Sequence, residues 1–104
     1  LRRRRDRSIT PFTTLSCDNL PKNGDILRKA VLAYAEQIDP QLAAYIRDNA
    51  TFPNTVVDRI VPGEQESDYD YPNRLLQVRD RSPIVTEPFW QFVVEDKFTS
   101  DRPK

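Results

Sequence analysis

In 104 residues there is no histidine and no methionine, and only two glycines, one cysteine and one tryptophan. Each scarcity excludes something. Without histidine the commonest general base and metal ligand is missing, and Cys17 has no imidazole to activate it. Cys17 therefore reads as a small buried side chain, not a nucleophile or ligand. One thiol cannot close an internal disulfide, which favours a reducing, cytoplasmic compartment. Gly24 and Gly63 stand too far apart to form a phosphate-cradling loop. Lys plus Arg and Asp plus Glu each total 16, so the formal net charge is zero. That argues against general binding to nucleic acid or to a membrane surface. No apolar run approaches the roughly 20 residues that cross a bilayer, and no signal peptide is visible. A start at LRRRR without Met reads as a piece excised from a longer protein. The length suits one small domain.

The most informative stretch is Pro11 to Gly24, PFTTLSCDNLPKNG. Phe12 to Ser16 reads as a buried strand, Cys17, Asp18 and Asn19 follow together, and Leu20 to Gly24 breaks the strand. A long amphipathic helix comes next. Strand, loop and helix start form the unit of crossover α/β sheets. Ligands of such sheets sit beyond the carboxyl ends of strands, which puts Asn19 at the mouth of a crevice. Its amide both donates and accepts hydrogen bonds. The helix opens near Asn23 as N-cap, with Asp25 in the first turn and Leu27, Val31, Tyr34 and Ile38 as one apolar stripe. Asp39 caps a second helix with Pro40 at its first position. Leu42, Tyr45 and Ile46 face inward, and Asn49 is the stop. The Arg-rich Leu1 to Ser8 reads as the solvated end of a further helix.

Pro53-Asn54 is a turn, and Val56 to Val61 is a β-branched strand. Alternation sends Asp58 to the face of Val56 and Ile60, and Arg59 to the face of Val57 and Val61. Neither satisfies the other, so each needs a partner or an opening onto water. Asp58 is assigned to the crevice side, converging with Asn19 on one rim. Pro62 to Pro83 is a long excursion, first acidic (Glu64, Glu66, Asp68, Asp70), then basic (Arg74, Arg79, Arg81). Tyr69, Tyr71, Leu75 and Leu76 are expected to give it some burial, around a short helix near Asn73 to Val78. The acidic run lacks the Gly and Glu positions of a calcium loop, so no metal is assigned. Ile84 to Val94 is interrupted by Pro88 and reads as two short strands or one bent edge strand. Glu87 needs a partner, and Trp90 and Phe92 are expected to pack. The elements add up to an α/β fold.

Three blocks carry a resemblance: SCDNLPKNG at Ser16 to Gly24, FPNTVVDRIVP at Phe52 to Pro62, and EPFWQFVVEDKF at Glu87 to Phe98. Their order and spacing resemble the long-chain polyol dehydrogenases, the family of mannitol 2-dehydrogenase and fructuronate (mannonate) oxidoreductase. VDRI is that family's signature segment; Ala50 stands where the pattern usually has a larger apolar residue. The resemblance implies a partial Rossmann-like three-layer domain, with a short mixed sheet and two or three helices. Residues 1–104 would be one fragment from the later part of the NAD-binding N-terminal domain. The Gly-rich cofactor loop would lie before Leu1 and the catalytic Lys beyond Lys104, so the isolated fragment would be inactive. The implied activity is NAD-dependent interconversion of a sugar alcohol or aldonate (mannitol, mannonate) with its ketose or ketouronate (fructose, fructuronate), without a metal. The implied partners are the small-molecule polyol or sugar-acid substrate and the remainder of the parent chain, with no nucleic acid and no membrane. The match carries over Asn19 as catalytic donor to the reacting oxygen and as a substrate contact. It carries over Asp58 as lining the substrate and nicotinamide sites. Apart from the resemblance, the Arg-rich start and acidic loop leave an alternative, a stand-alone protein-interaction module without catalytic activity.

Overall fold

The longest apolar periodicity in the chain becomes its longest helix. In a computed structural model that describes residues 1–63 and 65–103, α1 (Arg2–Asp6), α2 (Asn23–Ile38), α3 (Pro40–Asn49), β1 (Thr55–Val56), α4 (Asp70–Leu76) and β2 (Val93–Val94) follow in order. Glu64, in the expected acidic run, and Lys104, at the end of the tail, lie outside the described residues. The chain divides into two compact units, Leu1–Val57 with Phe92–Lys104, and Asp58–Gln91.

In the first unit, α2 packs on α3. The buried core is Ala35, Leu42, Ala43, Ile46, Ala50 and Phe52, with Leu1, Leu27, Val31, Leu32 and Tyr45 packed against it. The inward face of α2 differs from the expected stripe: Tyr34 is 69% exposed and Ile38 is half exposed, while Ala35 is buried. Small residues on both helices, Ala35 and Ala43, leave no room for a ring between them, so α2 turns its tyrosine out. The α3 expectations hold: Leu42 and Ile46 are buried and the helix ends at Asn49.

Asp39 stops α2 and starts α3. Its backbone is extended, its Oδ1 accepts from Leu42 N–H at 3.1 Å, and Pro40 follows where a missing N–H costs nothing. Arg5 of α1 donates to Asp39 Oδ2 at 3.0 Å. The arginine start therefore has structural employment. Arg4 also donates to the Thr10 carbonyl at 2.7 Å and lies over the Phe12 ring, 5.9 Å from its centroid. The Leu42 N–H, with Arg5 adding to it, holds the Asp39 carboxyl below the usual carboxylate range. A bond to Lys97, followed by the Asn54 N–H, does the same for Glu95. Depressed carboxyls stabilise the fold above their unfolded pKa, about 4, and lose that contribution as pH falls through the native values. Thermal midpoints followed from pH 7 downward should therefore drop below about pH 4, and Asp39→Asn should flatten part of that drop. An unchanged acid limb in Asp39→Asn would remove Asp39 from the account.

The sheet is smaller than expected and antiparallel where a mixed one was expected: Thr55 pairs with Val94 and Val56 with Val93. A strand is a ladder with a partner, not a run of β-branched residues. Among the described residues Phe12 to Ser16 makes one backbone bond of this kind, Thr14 N–H to Thr51 C=O at 3.0 Å, and belongs to no strand; Phe12 and Leu15 are exposed, against the expectation of a buried strand. Hydroxyls secure it: Thr13 Oγ1 meets Thr99 Oγ1 at 2.8 Å and accepts from Thr99 N–H at 3.0 Å. The Val56 to Val61 strand ends at Val56, and the Ile84 to Val94 strand is reduced to its last two residues.

The second unit is held by short polar bonds. A 3₁₀ turn, Glu66–Tyr69, runs into α4. Gln65 N–H donates to Asp68 Oδ2 at 2.9 Å, and Asp80 N–H to Asn73 Oδ1 at 2.6 Å. The acidic residues Glu66, Asp68 and Asp70 thus sit in first turns, where helix dipoles favour them. Tyr71, Leu75, Leu76 and Trp90 are exposed, against the expectation of burial, as is Phe92 of the first unit. Among the described residues of Asp58–Gln91 only Pro83 is buried, so no aliphatic or aromatic core forms there for them to join. No helix among the described residues is long and apolar enough to cross a membrane.

Candidate functional site at the start of the long helix

After the half-buried Ser16 the loop bends through Asp18 to Lys22 before α2 begins. Lys22 adopts a left-handed conformation, φ 56° and ψ 45°. For a residue with a Cβ this costs about 1 kcal/mol, so the surroundings must hold it. Next to it is Asn23, the one buried polar side chain of the described residues, 2% exposed.

Asn23 saturates its amide. Oδ1 accepts from Thr55 N–H at 2.9 Å and Gly24 N–H at 2.8 Å. The two N–H groups of Nδ2 donate to the Asp18 carbonyl at 2.9 Å and to Thr55 Oγ1 at 2.8 Å, with the Ser16 carbonyl at 3.3 Å sharing one of them. Thr55 Oγ1 in turn donates to the Ser16 carbonyl at 2.7 Å. The first turn of α2 has orphan N–H groups, as every helix does. The Asp25 N–H finds Asn54 Oδ1 at 3.2 Å, and the Ile26 N–H finds the Lys22 carbonyl at 3.0 Å. Asn54 is fixed from its other side by Glu95, whose Oε2 accepts from its backbone N–H at 3.1 Å and its Nδ2 at 3.2 Å. The blocks around Asn23, Asn54 and Glu95 therefore meet at one helix start. Gly24 permits the meeting: a Cβ there would lie 2.4 Å from the Pro53 carbonyl oxygen and 2.5 Å from that of Phe52.

Asn19 is exposed on this loop, between Ser16 and the start of α2, but the strand that was to precede it does not form. Cys17 is exposed as well, which corrects the expectation of burial: the segment before it, with Phe12 and Leu15 exposed, is not part of the buried core. Asp58 belongs to the second unit, outside any strand. The alternation argued for it and for Arg59 does not apply, because the ladder ends at Val56. Asp58 Oδ1 accepts from the Arg59 N–H at 2.8 Å, and the side chain is exposed. Glu87, the other charge that needed a partner, accepts from the Ile60 N–H at 3.3 Å. Asn19 and Asp58 thus lie in different units.

The residues that organise the helix start, Asn23, Asn54 and Thr55, were not candidates from sequence beyond a cap and a turn. The available signal was the pairing of Asn-Gly at a helix start with a second Asn straight after a core Phe-Pro.

The family model of the mannitol dehydrogenase Rossmann domain matches residues 1–104. The polyol:NADP oxidoreductase of Gluconobacter oxydans (strain 621H) is 48% identical over 103 residues, 99% of this chain and 21% of that protein. The D-mannonate oxidoreductase of Escherichia coli (strain K12) is 47% identical over 103 residues, with the same coverage of each chain. Among solved structures, the Pseudomonas fluorescens mannitol 2-dehydrogenase in ternary complex with NAD and D-mannitol is 42% identical, with a TM-score of 0.68. That match covers 98% of this chain and 21% of that one. The chain thus spans about a fifth of the length of these relatives. Their names are those of oxidoreductases and lend no support to an interaction module. The α/β class and its Rossmann-like character stand, and the chain belongs to the mannitol dehydrogenase family, through its Rossmann domain.

Proposed function

We propose that the protein bearing these residues is an NAD-dependent oxidoreductase that interconverts a sugar alcohol or aldonate, such as mannitol or mannonate, with its ketose or ketouronate, such as fructose or fructuronate. The match of the family model over residues 1–104 carries the reading. The relative that holds NAD and D-mannitol supports the choice of cofactor and substrate class. In this reading residues 1–104 are the later part of a cofactor-binding domain in a cytoplasmic enzyme, and the excised piece is inactive. No metal, nucleic acid or membrane takes part.

The glycines of the chain do not form a dinucleotide cradle. The space beside Gly24 belongs to the Phe52 and Pro53 carbonyls, and a Cβ placed on Gly63 would meet nothing within 4 Å. The phosphates are therefore assigned to the remainder of the parent chain, and Asp58 lines the substrate and nicotinamide sites.

When a secondary alcohol is oxidised, hydride leaves carbon as the hydroxyl loses its proton, and negative charge builds on oxygen. NAD, when bound, takes up that hydride or returns it. Asn19 donates from Nδ2 to the charged oxygen; a fixed donor of this kind is worth about 2.7 to 4 kcal/mol. Asp58 accepts from substrate hydroxyls.

Asn19→Ala in the intact protein is expected to lower turnover on the order of a hundredfold; a change below about threefold would remove Asn19 from the mechanism. Asp58→Ala is expected to raise KM for the polyol with little loss of thermal midpoint. A parallel loss of midpoint and activity would make Asp58 a structural residue.

A further inference from the structure

The loop that presents Asn19 is short, left-handed at Lys22, and bonded by the side chains of Asn23 and Thr55. We propose that Asn23, acting with Thr55, is a positioning residue of the oxidoreductase reaction: it sets the place of Asn19 without touching substrate. The inference rests on the role given to Asn19 above.

The geometry is specific. Asn23 follows Asn19 by four residues and holds the loop from the far side of the bend. Its Nδ2 grips the carbonyls of Ser16 and Asp18, the residues at which the loop begins. Its Oδ1 grips the Thr55 N–H, so the loop is referred to β1 and not to solvent. Thr55 Oγ1 closes the loop a second time, accepting from Asn23 and donating to Ser16. Asn19 itself is exposed, on a bend with a strained residue three positions on. An exposed donor stabilises developing charge only if it is already in place, because reorganising it at the moment of reaction cancels the gain. Asn23 and Thr55 supply such order from beneath the loop. Neither ordinary helix capping nor core burial needs all five bonds: an N-cap needs one acceptor for one N–H.

The test uses the intact protein with Asn23→Ala and Thr55→Val, each alone and combined with Asn19→Ala. Thr55→Val keeps the branched shape and the backbone bond and removes only the bridging hydroxyl, so it decides the matter if Asn23→Ala does not fold. Activities are taken well below each thermal midpoint and scaled to folded protein. Hydrogen exchange is read on a peptide covering 16–22, with one covering 40–49 as internal reference.

Exchange in 16–22 should speed up while 40–49 stays unchanged. Turnover should fall about tenfold with KM for NAD held within about twofold, and each variant combined with Asn19→Ala should be no slower than Asn19→Ala alone. A merely structural role would lower the midpoint but leave turnover per folded molecule intact. Unchanged exchange, unchanged turnover, or losses that multiply with that of Asn19→Ala would each overturn the proposal. If Asn19→Ala alone changes turnover less than about threefold, the role of Asn19 is what fails, and positioning for it fails with it.

Discussion

Gly24→Ala is expected to prevent stable folding of the first unit, at a cost above about 3 kcal/mol. The new Cβ would lie 2.4 Å from the Pro53 oxygen, 2.5 Å from the Phe52 oxygen and 2.6 Å from the Pro53 carbonyl carbon. All three are backbone atoms, so no rotamer change relieves the overlap. Either α2 lifts or the Phe52 to Asn54 segment moves. Phe52 is a core residue and Pro53 is fully buried, so movement there opens the core. Lifting α2 breaks the Asp25 N–H bond to Asn54 and the Thr55 N–H bond to Asn23. Opposing this, alanine is favoured over glycine inside a helix by about 1 kcal/mol, which is too little. The effect is one of packing and not of dihedral freedom, since Gly24 has no positive φ. Circular dichroism melts of the intact protein, with soluble yield, read the outcome. A melting temperature equal to or above that of the parent would refute the close approach at this glycine.

That same meeting point explains how much could be read from the residues in order. Both long helices were legible because their determinants are local: Asp39 followed by Pro40, Asp25 in a first turn, and apolar residues at helical spacing. The inward rotation of α2 was less legible, since it depends on how small Ala35 and Ala43 are across an interface formed by two segments. The strands were over-read. Val56 to Val61 and Phe12 to Ser16 have strand composition, but a ladder needs a neighbour, and the ladder among the described residues is two residues long. Asp58 followed the same error, because its assigned face depended on a strand that ends two residues earlier. The loop that carries Asn19 was legible as the break before a helix, while the family came from the three sequence blocks. Asn23 looked like a cap because its most distant partner, Thr55, is 32 positions away, and no local rule reaches that far.

Asn23→Ala is expected to cost about 2 to 5 kcal/mol, mostly through the groups it abandons rather than the bonds it loses. The two sides of the amide differ in this respect. The Ser16 carbonyl keeps the Thr55 hydroxyl as donor, and the Asp18 carbonyl keeps the Leu20 N–H at 2.9 Å. The Thr55 and Gly24 N–H groups lose the acceptor they share, and stranded buried donors cost about 1 to 3 kcal/mol each. Asn23→Leu refills the volume without restoring that acceptor, so it should rescue little. Asn23→Asp restores it, and separates the two halves by pH. A carboxylate there would satisfy both N–H groups but would face the Ser16 and Asp18 carbonyls, where Nδ2 now donates. Burial and those two oxygens favour the protonated form, so the folded-state pKa of this aspartate is raised above its unfolded value. The stability it contributes is then fully present below the unfolded pKa and is lost as pH rises. Measured against the parent at each pH, Asn23→Asp should therefore be least damaging near pH 4 and most damaging near pH 8, with both limits rough ones set by ordinary carboxyl titration. A deficit independent of pH would mean that the donor half of Asn23 does not face the two carbonyls, and the clamp on the Asn19 loop would lose its upper half.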